Sequence, residues 1–358
     1  MGRSVRNIII TARAPRMNCN RVNLRLRRLV PLLMFGLLGC SLIPVPLPTA
    51  TPTPAATPTF PPPASSINAT PGSSENPLIL ALAPSSQSSA DVLTAGKDLS
   101  ALLEKATGYK FEPVIPPNET ELVKAFGNGN ADIGVLSPYA YLLASNQSFA
   151  QAAFARQEGA TSFYGAQFIV QSGAGFTAFY DPDTKENSVD SAVALLQFQN
   201  KKPCWTDELS PSGYVVPLGY LGEAGVTIQK PAFLASHTSV VRAIYSGGIC
   251  DFGATYVDAR QYPGFQDAFP DVMKKVIVIW QIPPIIPYET IVVVHDMNVD
   301  MRRSLTRAIV DLMSSPDGKS AMQTLYGFNA LQVVQDSQYD EFRKAVKASG
   351  LDLTTLVK

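Results

Sequence analysis

The sequence predicts an α/β protein of two lobes, each a mainly parallel sheet flanked by helices, with a ligand cleft between them. Three observations predict it. Short apolar runs such as LILALA (78–83) and DIGVL (132–136) alternate with stretches of helical periodicity, the pattern of strand–helix units. The part of the chain able to fold, residues 76–358, is too long for one small core. A second set of units begins near FYGAQFIVQSG (163–173), and PPIIPYETIVVV (283–294) reads as a strand returning to the first set.

The N-terminal residues do not belong to that fold. Residues 1–39 hold eight arginines and no acidic residue, followed by the apolar run LVPLLMFGLLG, which is short for a membrane span. This is the layout of an export signal. LLGC ends it at Cys40 and resembles the lipobox of bacterial lipoproteins, which implies a lipid on Cys40 and anchorage to the outer face of the cell membrane. Met17 is an alternative start. Residues 40–75 are then a lipidated cysteine plus a Pro/Thr-rich linker; ten prolines in 41–76 and no charge before Glu75 suit an extended tether.

Export changes the charge. The whole chain balances 29 basic against 29 acidic residues, and losing eight arginines leaves 21 against 29, a net −8. Nucleic acid is excluded as a partner on that ground. An anionic ligand would have to be held by local geometry against the overall field. Besides Cys40, the exported part holds Cys204 and Cys250, flanking strand-like runs. One disulfide closing a loop of roughly 45 residues is expected, worth about 3–4 kcal/mol by chain entropy. Two separate buried thiols are the alternative.

Along the first lobe (76–170 and 288–358) a strand at 76–84 is followed by a helix over 90–108 that Gly108 stops. KFEPVI is the next strand, Asn118 caps the helix after it, and ADIGVLSP leads into a helix at YAYLLASNQ. The second lobe (171–287) runs through KPCWT, a helix after Ser212, the helix HTSVVRAIYSGG (237–248), DFGATY and KKVIVIW. Helices over 300–315 and 337–349 close the chain.

Candidate binding residues sit at strand ends. In DELSPSGYVVP (207–217) a strand meets a helix through Ser210, Pro211, Ser212 and Gly213. Unpaired first-turn amides, the helix dipole and two hydroxyls make such a junction an oxyanion cradle, with an ordinary helix cap as the plainer reading. His237 opens a helix and offers a ring N–H to an oxygen. Tyr139, Tyr164, Tyr256, Asp258 and Glu289 follow apolar strands and would gather at one cleft mouth.

The order ADIGVLSPYAYLLA, DELSPSGYVVP, SHTSVVRAIYSGGICDFGAT, VIWQIPPIIPYE resembles the phosphate, phosphite and phosphonate substrate-binding proteins of ABC importers, over about residues 76–335. The resemblance implies the two-lobed type II periplasmic-binding-protein fold. It implies that Ser210, Ser212 and His237 hold phosphonate oxygens, that Tyr164 stands before the crossover strand, and that Asp258 and Glu289 take a ligand ammonium. Pro211 departs from the family's hydroxyl residue, and Glu119 stands where aminoalkylphosphonate binders have tyrosine. The expected function is binding, not catalysis: a monomer holding a small anionic or zwitterionic solute for an ABC permease, with no cofactor and no metal. A ligand-binding sensor for a membrane partner, or a binder of an unrelated organic solute, uses the same fold. An enzyme using Ser212 or Ser210 with His237 would need a nucleophile elbow that the sequence lacks.

Overall fold

A computed structural model describes residues 69–83 and 88–358; the export signal, Cys40 and the linker through residue 68 lie outside the described residues. The tether ends earlier than the composition suggests. The Gly72 carbonyl accepts the Lys110 amide at 2.8 Å, so residues 72–76 already belong to the folded body.

The chain forms β1 (Leu78–Ala81), β2 (Phe111–Val114), β3 (Ile133–Leu136), β4 (Ala150–Arg156) and β5 (Phe163–Gln171). A two-stranded ribbon, β6 (Tyr180–Asp181) with β7 (Glu186–Asn187), precedes β8 (Pro203–Trp205), β9 (Ala232–Phe233), β10 (Phe252–Tyr256) and the long β11 (Val276–Pro287). The chain then returns through β12 (Thr290–Val294) and β13 (Leu331–Val333). Two sheets result, in the orders β13-β4-β12-β3-β1-β2 and β11-β5-β10-β8-β9.

Each sheet is parallel on one side and antiparallel on the other. β1 pairs in parallel with β2 and β3, while β12 runs antiparallel to β3 and β4. In the second sheet β10, β8 and β9 are parallel, and β5 runs antiparallel to β10 and β11. The antiparallel members are the strands that cross or return. β5 lies wholly in the second sheet, so the crossing precedes Phe163 rather than falling at residue 170. The runs read as KKVIVIW and PPIIP are one strand, β11, with a register shift between Ile282 and Ile286 where Pro283 and Pro284 offer no amide.

Local sequence signals hold the helices. Asn118 and Ser137 cap Glu119–Gly127 and Pro138–Asn146, accepting the amides of Glu121 and Ala140. Gly108, at φ +79°, ends Ser89–Thr107 in the left-handed conformation that favours glycine. Pro316–Tyr326 is a helix the sequence reading omitted; Ser315 caps it and Pro316 occupies its first turn.

The core is continuous between the lobes. Tyr141 and Tyr339 pack at 4.4 Å between ring centroids, and Tyr139 stacks on Phe342 at 5.8 Å. Phe342 lies on Asp340–Ala348, a helix assigned from sequence to the first lobe. It packs instead on Val216–Glu223 of the second: a Cβ added to Gly219 would stand 2.0 Å from the Ala345 carbonyl oxygen. In the second lobe Phe198 and Phe252 stack at 4.1 Å with Trp205 edge-on to Phe252, all fully buried. Burying each such ring contributes about 2–3 kcal/mol.

The structure joins Cys204, on β8, to Cys250, just before β10, with the two Cα atoms 5.7 Å apart and a sequence separation of 46. Replacing both cysteines by alanine is expected to lower the free energy of unfolding by about 3–4 kcal/mol, read from urea titrations without reductant. An unchanged midpoint would show that the bond contributes nothing in solution.

Candidate functional site

The loop after β8 turns back on the strand so tightly that only glycine fits at its apex. A Cβ on Gly213 would lie 2.1 Å from Thr206 Oγ1, and the Thr206 amide donates to the Gly213 carbonyl at 3.3 Å. Ser210 caps the π-helical turn Pro211–Val215 that continues into Val216–Glu223, and its Oγ accepts the Gly213 amide at 3.0 Å. That amide is therefore spent within the turn. Gly213 belongs to the cradle through close packing, not as a free donor.

Ser212 is buried and hydrogen-bonds the phenol of Tyr164, at the start of β5. Burial pushes the Tyr164 hydroxyl up to about 12, with Ser212 opposing. Tyr139, at the start of Pro138–Asn146 in the first lobe, comes close enough for Tyr164 and Asp207 to act on it. Burial, then those two groups, hold its hydroxyl well above the ordinary tyrosine value. All three stay protonated at neutral pH and can donate. Tyr139 Oη, Trp205 Nε1 and Thr206 Oγ1 are buried with no hydrogen-bond partner, a costly arrangement unless something else supplies one.

His237 opens the helix His237–Ser246, capped by Ser236. Its Nδ1 accepts the Tyr256 amide at 3.3 Å, which assigns the ring proton to Nε2, and the Tyr256 ring stands edge-on at 4.7 Å. Burial lowers the imidazole to about 4 against the opposing pull of Asp207, so it is a neutral N–H donor at pH 7. Asp207 thus lies within electrostatic reach of both Tyr139 and His237, linking the two groups of donors.

The two carboxylates expected to meet a ligand ammonium are already paired. Asp258 accepts Arg260 Nε at 2.9 Å, Arg260 Nη2 at 2.5 Å and Gln167 Nε2 at 2.8 Å. Burial alone would raise its carboxyl, but Arg260 and Gln167 outweigh that and hold it below the ordinary aspartate value. Glu289 accepts Arg156 Nε at 2.6 Å. The same guanidinium lies 4.6 Å from the Tyr288 ring centre, and Tyr288 stacks on Tyr164 at 5.0 Å. Asp258 and Glu289 therefore act as counter-ions within the protein.

Sequence reading passed over Trp205, Thr206, Asp207 and Tyr288, each inside a quoted run. It also missed Arg156, whose partner lies 133 residues away. Glu119 accepts the amide and hydroxyl of Ser137 at 2.9 and 2.7 Å, and both line a cavity of about 460 Å³ that Glu289 also borders. Among the described residues no cluster of metal-ligating side chains occurs, and no helix is long and apolar enough to cross a membrane.

This arrangement can hold an oxyanion with neutral donors. The chain is 28% identical over 189 residues to the phosphate-import protein PhnD of Mycolicibacterium smegmatis, a match covering 50% of this chain and 54% of that protein, so it spans about half the length of that curated relative. The structure of XAC2383 from Xanthomonas citri bound to ATP has the same fold, with TM-score 0.51 and 13% identity over 78% of this chain and 99% of that one. PhnD1 from Prochlorococcus marinus in complex with methylphosphonate aligns with TM-score 0.45 and 17% identity over 75% of this chain and 97% of that one. Residues 82–339 match the family described as ABC transporter, phosphonate, periplasmic substrate-binding protein, and the chain belongs to that family.

Proposed function

We propose that this protein is an extracytoplasmic solute-binding component of an ABC importer that captures a small phosphorus oxyanion between its lobes and presents it to a permease. The observation that carries the reading is the Tyr139 hydroxyl. It is buried and without a partner, beside the Ser212–Tyr164 pair. An oxyanion seated there would accept from Tyr139 and from the one proton the Ser212–Tyr164 pair leaves free, with His237 Nε2 as a further donor from the second lobe. Ser210 closes the turn that aims Ser212. Family membership and the name of the mycobacterial relative support phosphorus chemistry. Neutral donors suit a chain whose exported part carries net negative charge, because they attract the ligand only at contact range. The lipobox-like LLGC supports a lipid on Cys40 as the anchor and residues 41–68 as the tether.

A thermal-shift series with phosphate, phosphite, methylphosphonate and sulfate tests the reading. At 100 times its dissociation constant a true ligand stabilises the fold by about 2.7 kcal/mol. A flat response to every phosphorus compound would refute it. With a responding ligand, Ser212→Ala is expected to weaken binding by about 1.5–3 kcal/mol, the worth of a hydrogen bond to a charged group. Unchanged affinity by calorimetry would remove Ser212 from the site.

His237 also makes ligand-free stability depend on pH. In the fold the imidazole takes a proton only near pH 4, whereas in the unfolded chain it does so near 6.5. Between those values the unfolded chain binds more protons, so this group destabilises the fold as pH falls from 6.5 to 4. The wild type should lose about 2 kcal/mol relative to His237→Asn across that window, measured by urea unfolding at each pH. Parallel curves for the two proteins would mean that the ring is not held neutral by burial.

A further inference from the structure

Among the donors of the proposed site stands one acceptor. Thr206 ties the two groups of donors together through its backbone. Its amide donates to the Gly213 carbonyl at 3.3 Å, on the turn that carries Ser212. Its carbonyl accepts the amides of Ala235 and Leu234 at 2.7 and 3.1 Å, on the segment that leads into His237. The next residue, Asp207, therefore leaves from a junction between the Ser212 turn and the His237 helix. From there its charge acts on His237 and, across the gap between the lobes, on Tyr139.

The Asp207 carboxylate is only half engaged. Oδ1 accepts the Leu209 amide at 3.0 Å, and the Asp207 carbonyl accepts the Ser210 amide at 3.3 Å, so the loop holds the residue in place. Among the described residues no donor meets Oδ2 and no cation pairs with Asp207. The guanidinium groups around the site are taken, Arg156 by Glu289 and Glu158 and Arg260 by Asp258. His237 brings no charge, because Nδ1 accepts the Tyr256 amide and the ring proton sits on Nε2. Of the remaining titratable neighbours, Glu208 acts on Tyr214, and Tyr164 meets Glu289 and Arg156.

Counted by hydrogen-bonding type, the donors are Tyr139 Oη, the one proton the Ser212–Tyr164 pair leaves free, and His237 Nε2, and the acceptor is Asp207 Oδ2. A fully ionised oxyanion has acceptors only and would set one of them against the carboxylate. A tetrahedral oxyanion with a single O–H matches the set. Its bare oxygens accept from the donors, and its hydroxyl donates to Asp207 in a charge-assisted bond.

We infer that Asp207 selects the protonation state of the ligand: its free oxygen accepts the O–H of a singly protonated phosphorus oxyanion, and its charge rejects oxyanions that carry no proton at neutral pH, such as sulfate. The inference rests on the oxyanion reading of the same site and names the form of ligand that the site takes. Asp207 acts by exclusion as much as by attraction, an unpaired charge set against the wrong ligand.

The test is calorimetric titration of the full-length protein with phosphate, methylphosphonate and sulfate over a range of pH. Wild-type affinity for the two phosphorus compounds should fall about tenfold per pH unit above each compound's second ionisation, in step with the protonated fraction. Sulfate should bind at least about tenfold more weakly than either at neutral pH. Asp207→Asn keeps a carbonyl for the Leu209 amide and turns an N–H₂ to the ligand. It should flatten the pH slope and improve sulfate binding by about tenfold or more. His237 is the other group able to take up a proton with the ligand. A slope that survives in Asp207→Asn overturns the inference, and its loss in His237→Asn would then assign the proton to the imidazole. Wild-type protein that binds sulfate as tightly as phosphate, or binds phosphate equally at every pH, also overturns the inference while leaving the oxyanion site standing. If Asp207→Asn does not fold, the wild-type slope and sulfate ratio decide. Wild-type protein that binds neither phosphorus compound overturns the oxyanion reading itself, and the inference with it.

Discussion

Two strands pressed backbone to backbone set the geometry on which everything else in the molecule depends. β5 and β11 run antiparallel along the second sheet, and at Gly165 they approach so closely that a Cβ would stand 2.5 Å from the Ile282 carbonyl oxygen. Glycine there lets the ladder continue past the point where Pro283 and Pro284 interrupt it. Pairing resumes at Ile286 with Tyr164. The residue before the tight contact is thus the tyrosine that meets Ser212, and the residue just beyond β11 is Tyr288, which stacks on it. A sheet register decides which side chains can meet across the site.

Much of this could be read from the sequence because it is local. The junction Ser210–Gly213 announces a capped turn through its own residue types, and the structure turns there, with Ser210 as the cap and Gly213 against Thr206. His237 begins a helix because Ser236 is a good cap. What could not be read depends on separation in space. Nothing in the sequence near Glu289 signals that Arg156 would arrive beside it, because that approach is made by β4 lying against β12. Arg260 is only two residues from Asp258, yet in a helix that spacing points side chains apart. Only the short turn after β10 folds the guanidinium back onto the carboxylate. Pro316, Asp317 and Gly318 look like a break, but with Ser315 ahead of them they start a helix instead.

In the proposed site an anion would meet uncharged donors. These are the Tyr139 hydroxyl, the one proton that the Ser212–Tyr164 pair leaves free, and an imidazole that burial keeps deprotonated at Nδ1. Burial serves both ends of the arrangement. It holds the tyrosines in their donating form and strips water from the place an oxyanion would occupy, where each hydrogen bond is stronger for the lower local dielectric. Three acidic side chains around this centre are engaged, Asp258 by Arg260, Glu289 by Arg156 and Glu119 by Ser137, while Asp207, which acts on both Tyr139 and His237, has no ion-pair partner among the described residues. An uncompensated carboxylate at any of the three engaged positions would repel the ligand that the hydroxyls attract.

That balance also explains why the cradle tolerates Pro211. The proline removes one amide and one side-chain hydroxyl from the turn, which would matter if the turn's own amides were the main ligands. The Gly213 amide, however, is already committed to Ser210, and the Tyr139 hydroxyl on the opposite lobe is one of the buried donors left unpaired. In the proposed site, binding would rest on the gap between the lobes more than on the turn. A donor set divided in this way is complete only when both lobes face one ligand. The ligand then stabilises the closed arrangement by its differential contact with it, which is the requirement for closure on binding.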